Sequence, residues 1–235
     1  MANDQQLQRS RSHAVYSALK RAILEQALKP GVKLPEDAIG EQFGVSRTLV
    51  REALVRLSGE GLIDLRANKG ASVAQPSLEE GRSIFAVRQA LERLVMETLA
   101  GKITPATCRQ LDEHVAAETR ARGRDEAMSI RLAGEFHTLL AGMTGNPLLA
   151  RYVNEVVSRC SLILAMYGRP HSSDCAVSEH AELLKCLVAG KTEAAVEMMA
   201  RHLEGITSRA LLEPRPDRDM REVLSSYAQA EGLSS

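Results

Sequence analysis

The sequence carries no net charge, no long apolar run, no closely paired cysteines and no internal repeat. Thirty Lys and Arg balance thirty Asp and Glu, so no global field draws the chain to nucleic acid or to a membrane. No apolar stretch approaches the roughly 20 residues needed to cross a bilayer. The opening MANDQQLQRSRS is polar and lacks the apolar core of a signal peptide. Cys108, Cys160, Cys175 and Cys186 form no CxxC pair. Three of them fall in apparent helices, which fits reduced thiols better than a disulfide framework. These absences argue against membrane and disulfide-stapled classes and lead to the expectation of a cytoplasmic protein. What is present is ordinary for a soluble globular chain. At 235 residues, 44% hydrophobic and 26% charged, it can bury the core of one large domain or two smaller ones.

The neutral average hides a mild split. Residues 1–75 hold eleven Lys/Arg against eight Asp/Glu, which becomes informative only through where the charges sit. Residues 12–28 place Val15, Leu19, Ile23 and Ala27 at helical spacing, and KPG at 29–31 stops that helix. PEDAIGEQFG reads as a short helix with an acidic start, ended by Gly44. VSRTLVREALVRLSGEG begins another, with Ser46 as the natural N-cap and Gly59 and Gly61 closing it. LIDLR and ASVAQ, joined by ANKG, alternate as a small β-hairpin. That order describes a winged helix-turn-helix over residues 10–75. Beyond Pro76 the pattern is helical in segments near 78–100, 105–121, 125–142, 147–167, 176–189 and 192–212. Thr104-Pro105 and Asn146-Pro147 each set a cap before a proline at the first helical position. The expected fold class is mainly α: a winged helix-turn-helix, an all-α bundle over residues 78–212, and a polar tail over 213–235 with room for a short helix near 219–229.

In GVSRTLVREALVRLSGEGLI the apolar positions Leu49, Val50, Ala53, Leu54 and Leu57 share one face, which leaves Arg47, Thr48, Arg51 and Glu52 outward near the helix start. In a helix-turn-helix the first turns of the second helix enter the major groove, where arginines reach phosphates and guanine edges. Ser46 and the amides at the helix start also suit a phosphate oxygen. Lys69 and Gly70 form a compact cationic hairpin tip that fits a minor groove. A single outward arginine is usually just a solvated helix face; the complete turn, helix and wing pattern is far more specific. The stretch KPGVKLPEDAIGEQFGVSRTLVREALVRLSGEGLIDLRANKGASV closely resembles the N-terminal domain of GntR-superfamily transcriptional regulators. The resemblance implies that Ser46, Arg47, Thr48 and Arg51 contact operator DNA, with the tip at Lys69 and Gly70 assisting.

Three histidines sit on inward helix faces. His137 lies in line with Ala133 and Leu140, His180 with Val177, Leu184 and Leu187, and His202 with Ala195, Met198, Met199 and Ile206. One such histidine is usually a satisfied core residue; three on three helices point to shared chemistry. Converging neutral imidazoles are natural ligands for Zn²⁺ or a similar divalent ion. His13, His114 and His171 read as surface residues. Arg88 and Arg159 are candidates for clamping an effector carboxylate, since arginine recognises carboxylates bidentately. Glu92 is a possible further donor, or simply the salt-bridge partner of Arg88 four residues away. The apolar run SLILAMY at 161–167 suits the centre of the bundle or a subunit interface.

The segments RQALERLVMETLA, GEFHTLLAGMTGNPLL and SEHAELLKCLVAGKTEAAVEMMARHL resemble the FCD effector domain of the fatty-acid-regulator branch of GntR proteins. The resemblance implies a divalent metal, Zn²⁺ or Ni²⁺, held by His137, His180 and His202, with a small carboxylate effector beside it. The family aspartate four residues before the first histidine is Ala133 here. The site is therefore expected to lack one anionic ligand, leaving a place for water or the effector. Glu135 is no substitute, pointing about 160° away from His137 on an ideal helix.

The leading expectation is a bacterial, cytoplasmic, nucleoid-associated transcription factor, a repressor by family habit. As a homodimer it reads palindromic double-stranded operator DNA, one half-site per recognition helix, under control of a small-molecule effector. An effector domain whose histidines bind the ligand without metal is one alternative. A metal-dependent enzyme is the other, but no inward carboxylate beside the histidines is apparent to act as its base, and it leaves the DNA module unexplained.

Overall fold

The computed structural model describes residues 2–67, 70–167, 173–208, 220–230 and 232. The chain forms two compact units, Met1–Pro76 with Pro214–Ser235, and Ser77–Glu213.

The first unit contains α1 (Ala2–Leu24), α2 (Glu36–Phe43), α3 (Arg47–Gly59), β1 (Ile63–Arg66) and β2 (Gly70–Val73). Apolar residues three and four apart bring α1, α2 and α3 onto one core, with Val15, Leu19, Ile39, Phe43, Val50, Leu54 and Leu57 all fully buried. The turn between α2 and α3 needs Gly44, whose φ of +58° is left-handed and whose N–H closes back on the α2 carbonyls of Gly40 and Glu41. β1 and β2 pair antiparallel with Ile63 opposite Val73 and Arg66 opposite Gly70. Residues 31–34 flank this hairpin, through Gly31 N–H to Val73 O and Leu34 N–H to Ala71 O, each 2.9 Å. A hydroxyl of Tyr16 donated to Glu60 at 2.5 Å, with Lys20 on the other oxygen at 2.6 Å, ties α1 to the end of α3.

The ends of α1 differ from the expectation over 12–28. It begins at Ala2 and stops at Leu24, where Gln26 adopts φ +58°. Ala27 and Leu28 N–H groups fold back onto Ala22 O at 2.9 Å, which lets Leu28 bury itself outside the helix.

The short helix expected near 219–229 forms, and it is docked on its unit. Met220–Ala230 forms α10, which packs on α1 and α2 of the same unit. Leu224 and Ala228, one turn apart, are fully buried, and Arg21 stacks its guanidinium 4.9 Å from the ring of Tyr227. Burial of one leucine by an 11-residue helix is worth about 2 kcal/mol. Leu224→Asp should therefore detach α10 and lower the melting temperature of the DNA-binding unit, read by thermal denaturation of the full chain. An unchanged melt would mean that α10 contributes nothing to that unit.

Among the described residues the second unit is a bundle of six helices: α4 (Leu78–Leu99), α5 (Pro105–Ala121), α6 (Glu126–Met143), α7 (Pro147–Tyr167), α8 (Ser173–Val188) and α9 (Thr192–Ser208). Local signals set the starts. Thr104 and Thr107 form a reciprocal capping box with Pro105 between them, and Asp125 and Asn146 accept first-turn amides of α6 and α7. α4 packs against both α7 and α9, and α6 packs on α5, α7 and α8. The shared core includes Val95, Met96, Leu111, Phe136, Leu140, Val153, Leu183, Leu187, Met199 and Leu203. In 161–167, Leu162 and Ile163 are buried, Ile163 against Ile84 and Phe85 of α4.

Candidate DNA-reading surface and histidine centre

Arg47, Thr48 and Arg51 stand exposed on the first turns of α3, while Val50, Ala53 and Leu54 turn inward. Ser46 occupies the N-cap position with extended φ −69° and ψ 153°, but its hydroxyl makes no capping bond. Ser46 is exposed, which leaves the first turn of α3 open to solvent. Both arginines meet acids from the start of α2: Arg51 Nε and Nη2 donate to the two oxygens of Glu36 at 2.9 and 2.6 Å, and Arg47 pairs with Asp37. Gly70 lies at the hairpin tip with φ +78° and open space around it. Lys69 lies outside the described residues.

The three inward histidines meet. His137 comes from α6, His180 from α8 and His202 from α9, and all three are at most 2% exposed. Their ligand atoms lie within 4.8 Å of one another, with His202 Nε2 3.3 Å from Nε2 of both His137 and His180. Behind each ring stands a carboxylate on the other nitrogen. His180 Nδ1 donates to Glu118 at 2.8 Å, His202 Nδ1 to Glu179 at 2.5 Å, and His137 Nδ1 to Glu92. A carboxylate on Nδ1 keeps the proton there, so each Nε2 presents its lone pair to the centre. Phe136 stacks flat on His180, centroids 4.0 Å apart, and meets His137 edge-on.

Burial, the largest influence, pushes the His137 imidazole down to about 3 against the pull of Glu92, and it lowers His202 likewise against the Glu179 hydrogen bond. Both rings are therefore neutral near pH 7, the form that binds metal. Burial alone would raise Glu92 and Glu118, but the imidazoles beside them, and Arg88 beside Glu92, outweigh it and hold both carboxyls below their usual range.

Several expectations need correction. Of the two readings of Glu92 the salt bridge to Arg88 holds: Arg88 Nε takes one oxygen at 2.5 Å and His137 the other. Arg88 is itself buried at 3% exposure, within the same chain of contacts. Arg159 turns to Glu80 and Glu155, at 3.7 and 4.0 Å, with a third of its side chain exposed. His114 is half-buried rather than a surface residue: its Nε2 donates to Leu132 O at 2.9 Å and lies 3.1 Å from Glu118. Burial opposes the charged ring, but Glu118 and the Leu132 carbonyl prevail and raise its pKa. Inward carboxylates do lie beside the histidines, against the sequence reading, yet each is spent on an Nδ1. His171 lies outside the described residues.

The sequence reading gave no role to Glu118 or to Glu179, which entered it only beside His180 in the family resemblance. Glu118 had a signal, since the buried stripe Leu111, Val115, Glu118, Ala121 carries it inward. Glu179 had none: it precedes His180 but serves His202, 23 residues away on the next helix.

A helical head with a hairpin wing and a separate helical bundle that gathers buried histidines define a DNA-binding regulator with a ligand-sensing domain. Comparison with known proteins makes the class specific. Residues 11–73 match the family described as "Bacterial regulatory proteins, gntR family", and residues 83–205 match the FCD domain. The chain belongs to the gntR family of bacterial regulators with an FCD effector-binding domain, and it is a transcriptional regulator, not an enzyme. It is 27% identical over 195 residues to the HTH-type transcriptional repressor RspR of Escherichia coli, covering 82% of this chain and 86% of that one. It is 26% identical over 192 residues to the HTH-type regulator YdhC of Bacillus subtilis, covering 80% and 85%. Among solved structures, Escherichia coli McbR/YncC shares the fold with a TM-score of 0.76 at 22% identity, covering 84% of this chain and 95% of that one. A GntR regulator from Rhodococcus sp. RHA1 gives 0.72 at 24% identity, covering 85% and 96%. Among the described residues, no helix is long and apolar enough to cross a membrane.

Proposed function

We propose that the chain is a metal-containing repressor whose grip on a palindromic operator is controlled by a small organic acid bound at the three-histidine centre. The observation that carries this reading is the convergence of three lone pairs. Each Nδ1 is committed to a carboxylate, which leaves Nε2 of His202 facing Nε2 of both His137 and His180 at 3.3 Å across the centre. Such a cluster is repulsive unless a cation occupies it. Two of the three separations also match the edge of a tetrahedron with Zn–N bonds of about 2.0–2.1 Å, which is close to 3.3 Å. His137, His180 and His202 would hold the ion; Glu92, Glu118 and Glu179 orient the rings and balance its charge. A bound divalent ion supplies a Lewis-acidic position for a carboxylate. Both candidate arginines are paired with acids. Arg88 is buried and joined through Glu92 to His137, which makes it the better candidate for that role, whereas Arg159 is a third exposed. The same domain with no metal, its histidines binding the effector directly, is the second reading, and it leaves the facing lone pairs unexplained.

Operator contacts fall to Ser46, Arg47, Thr48 and Arg51 on α3, with Lys69 and Gly70 at the wing tip. A homodimer accords with the exposed apolar residues Val87 and Leu94, two turns apart on α4, and Leu148 and Tyr152 on α7, the helix packed against it. Repression accords with the repressor role of the relative RspR.

Ala133 lies one turn before His137 on α6 and is half-buried. Ala133→Asp should tighten Zn²⁺ binding by about 10- to 100-fold, the usual worth of a metal-site partner, because an aspartate there returns an anionic ligand. It should at the same time weaken organic acids that occupy that position. A thermal-shift screen of organic acids with and without Zn²⁺ or Ni²⁺, run on wild type and variant, reads both effects. If organic acids shift the melt equally with and without metal, the metal-dependent reading fails.

A further inference from the structure

Arg47 and Arg51, though exposed, are each paired with an acid on the preceding helix. Exposed arginines of a recognition helix would bind phosphate more strongly without such acids, so their presence needs a reason. We propose that Glu36 is a positioning residue for base reading, holding Arg51 by one edge of its guanidinium and aiming the other edge into the major groove. This rests on the reading of α3 as the helix that enters DNA.

The geometry is specific. A guanidinium is a flat group with five N–H donors arranged in two forks. Glu36 takes the fork made by Nε and Nη2, through two bonds of 2.9 and 2.6 Å. The remaining fork, Nη1 with the second N–H of Nη2, lies in the same plane and is directed away from Glu36. That fork matches O6 and N7 of guanine. The holder is also better anchored than the held group: the Glu36 side chain is 29% exposed, that of Arg51 66%. Glu36 is the first residue of α2, a helix pinned in the core by Ile39 and Phe43. An arginine already fixed in direction loses less rotamer freedom when it meets a base.

Glu36 also has a cost for DNA in general. A carboxylate at the reading edge repels phosphate, and Asp37 beside Arg47 adds to that repulsion. Correct sequence recovers the loss through the aimed contact, whereas incorrect sequence does not. Specificity is a difference of affinities, so lowering the affinity for wrong sites raises it.

The test uses the full-length protein. Wild-type chain first selects its duplex from a randomised library. That duplex, versions with each guanine replaced in turn, and a scrambled duplex then serve as probes at one fixed salt concentration. Wild type should lose about 10-fold or more in affinity at one guanine of each half-site, in the range of a bidentate arginine contact. Glu36→Ala should shrink that loss to a few-fold and bind the scrambled duplex more tightly. Glu36→Gln, which keeps one acceptor but not the charge, should also tighten the scrambled duplex yet retain part of the guanine discrimination. If Glu36→Ala keeps the full discrimination and shifts all duplexes equally, the acid acts through charge alone and the proposal is overturned. Arg51→Ala separates the two levels. Should it still discriminate the same guanine, the reading of α3 itself has failed.

Discussion

Full-length protein purified without a polyhistidine tag is expected to carry close to one divalent ion per chain, lost on chelation and absent from His180→Ala. The three imidazoles are fully desolvated and already oriented by Glu92, Glu118 and Glu179, so little reorganisation opposes binding. At a free metal concentration 1,000 times the Kd, binding stabilises the folded state by about 4 kcal/mol. For a bundle of this size that is roughly a ten-degree rise in melting temperature. His180→Ala removes a ligand and also the hydrogen bond to the buried carboxylate of Glu118, leaving it His114 at 3.1 Å. Loss of a buried partner is destabilising by itself, so this variant will be less stable even with no metal present. Chelation of the wild-type protein isolates the metal contribution. Fewer than about one ion per five chains, with no melting shift on adding Zn²⁺ or Ni²⁺, would remove the metal from this account.

Arg47→Ala and Arg51→Ala are expected to lower operator affinity by about 10- to 100-fold or more each, since a well-placed arginine contact to a base contributes about 1–3 kcal/mol. A residue that also neutralises a phosphate should flatten the salt dependence by about one unit of slope. Neither side chain supports the fold. Both are at least 66% exposed and bound only to exposed or half-exposed acids, and such pairs contribute little to stability. Metal uptake and the melt of the helical domain should therefore be unchanged in both variants. Electrophoretic mobility shift with the selected duplex provides the measurement. Wild-type affinity in both variants would mean that another surface reads the DNA.

Much of this architecture was legible in the sequence because its signals are local. Gly44 and Ser46 around the turn, the apolar stripe of α3 and the hairpin through 63–73 depend on near neighbours and on backbone preference. The caps at Thr104, Asp125 and Asn146 work within one helical turn. The histidines were legible for the same reason, since three- and four-residue spacing shows which face each occupies. α10 was harder to read. Its buried face consists of little more than Leu224 and Ala228, too narrow a stripe to announce a docked helix among polar residues.

By itself, the sequence determined the order and ends of most elements, the outward arginines of α3, the inward direction of three histidines, and the absence of an acid at position 133. Each of these follows from helical periodicity or turn chemistry within a few residues. Only the tertiary structure decided which side chains meet. Glu118 reaches His180 across 62 residues, Glu179 serves His202 instead of its own neighbour, Glu92 turns from possible ligand to support for His137, and Glu36 finds Arg51. A carboxylate has the same local pattern whether it faces water, a metal or an imidazole. The packing of separate helices brings a partner within 3 Å, and that partner gives the carboxylate its role.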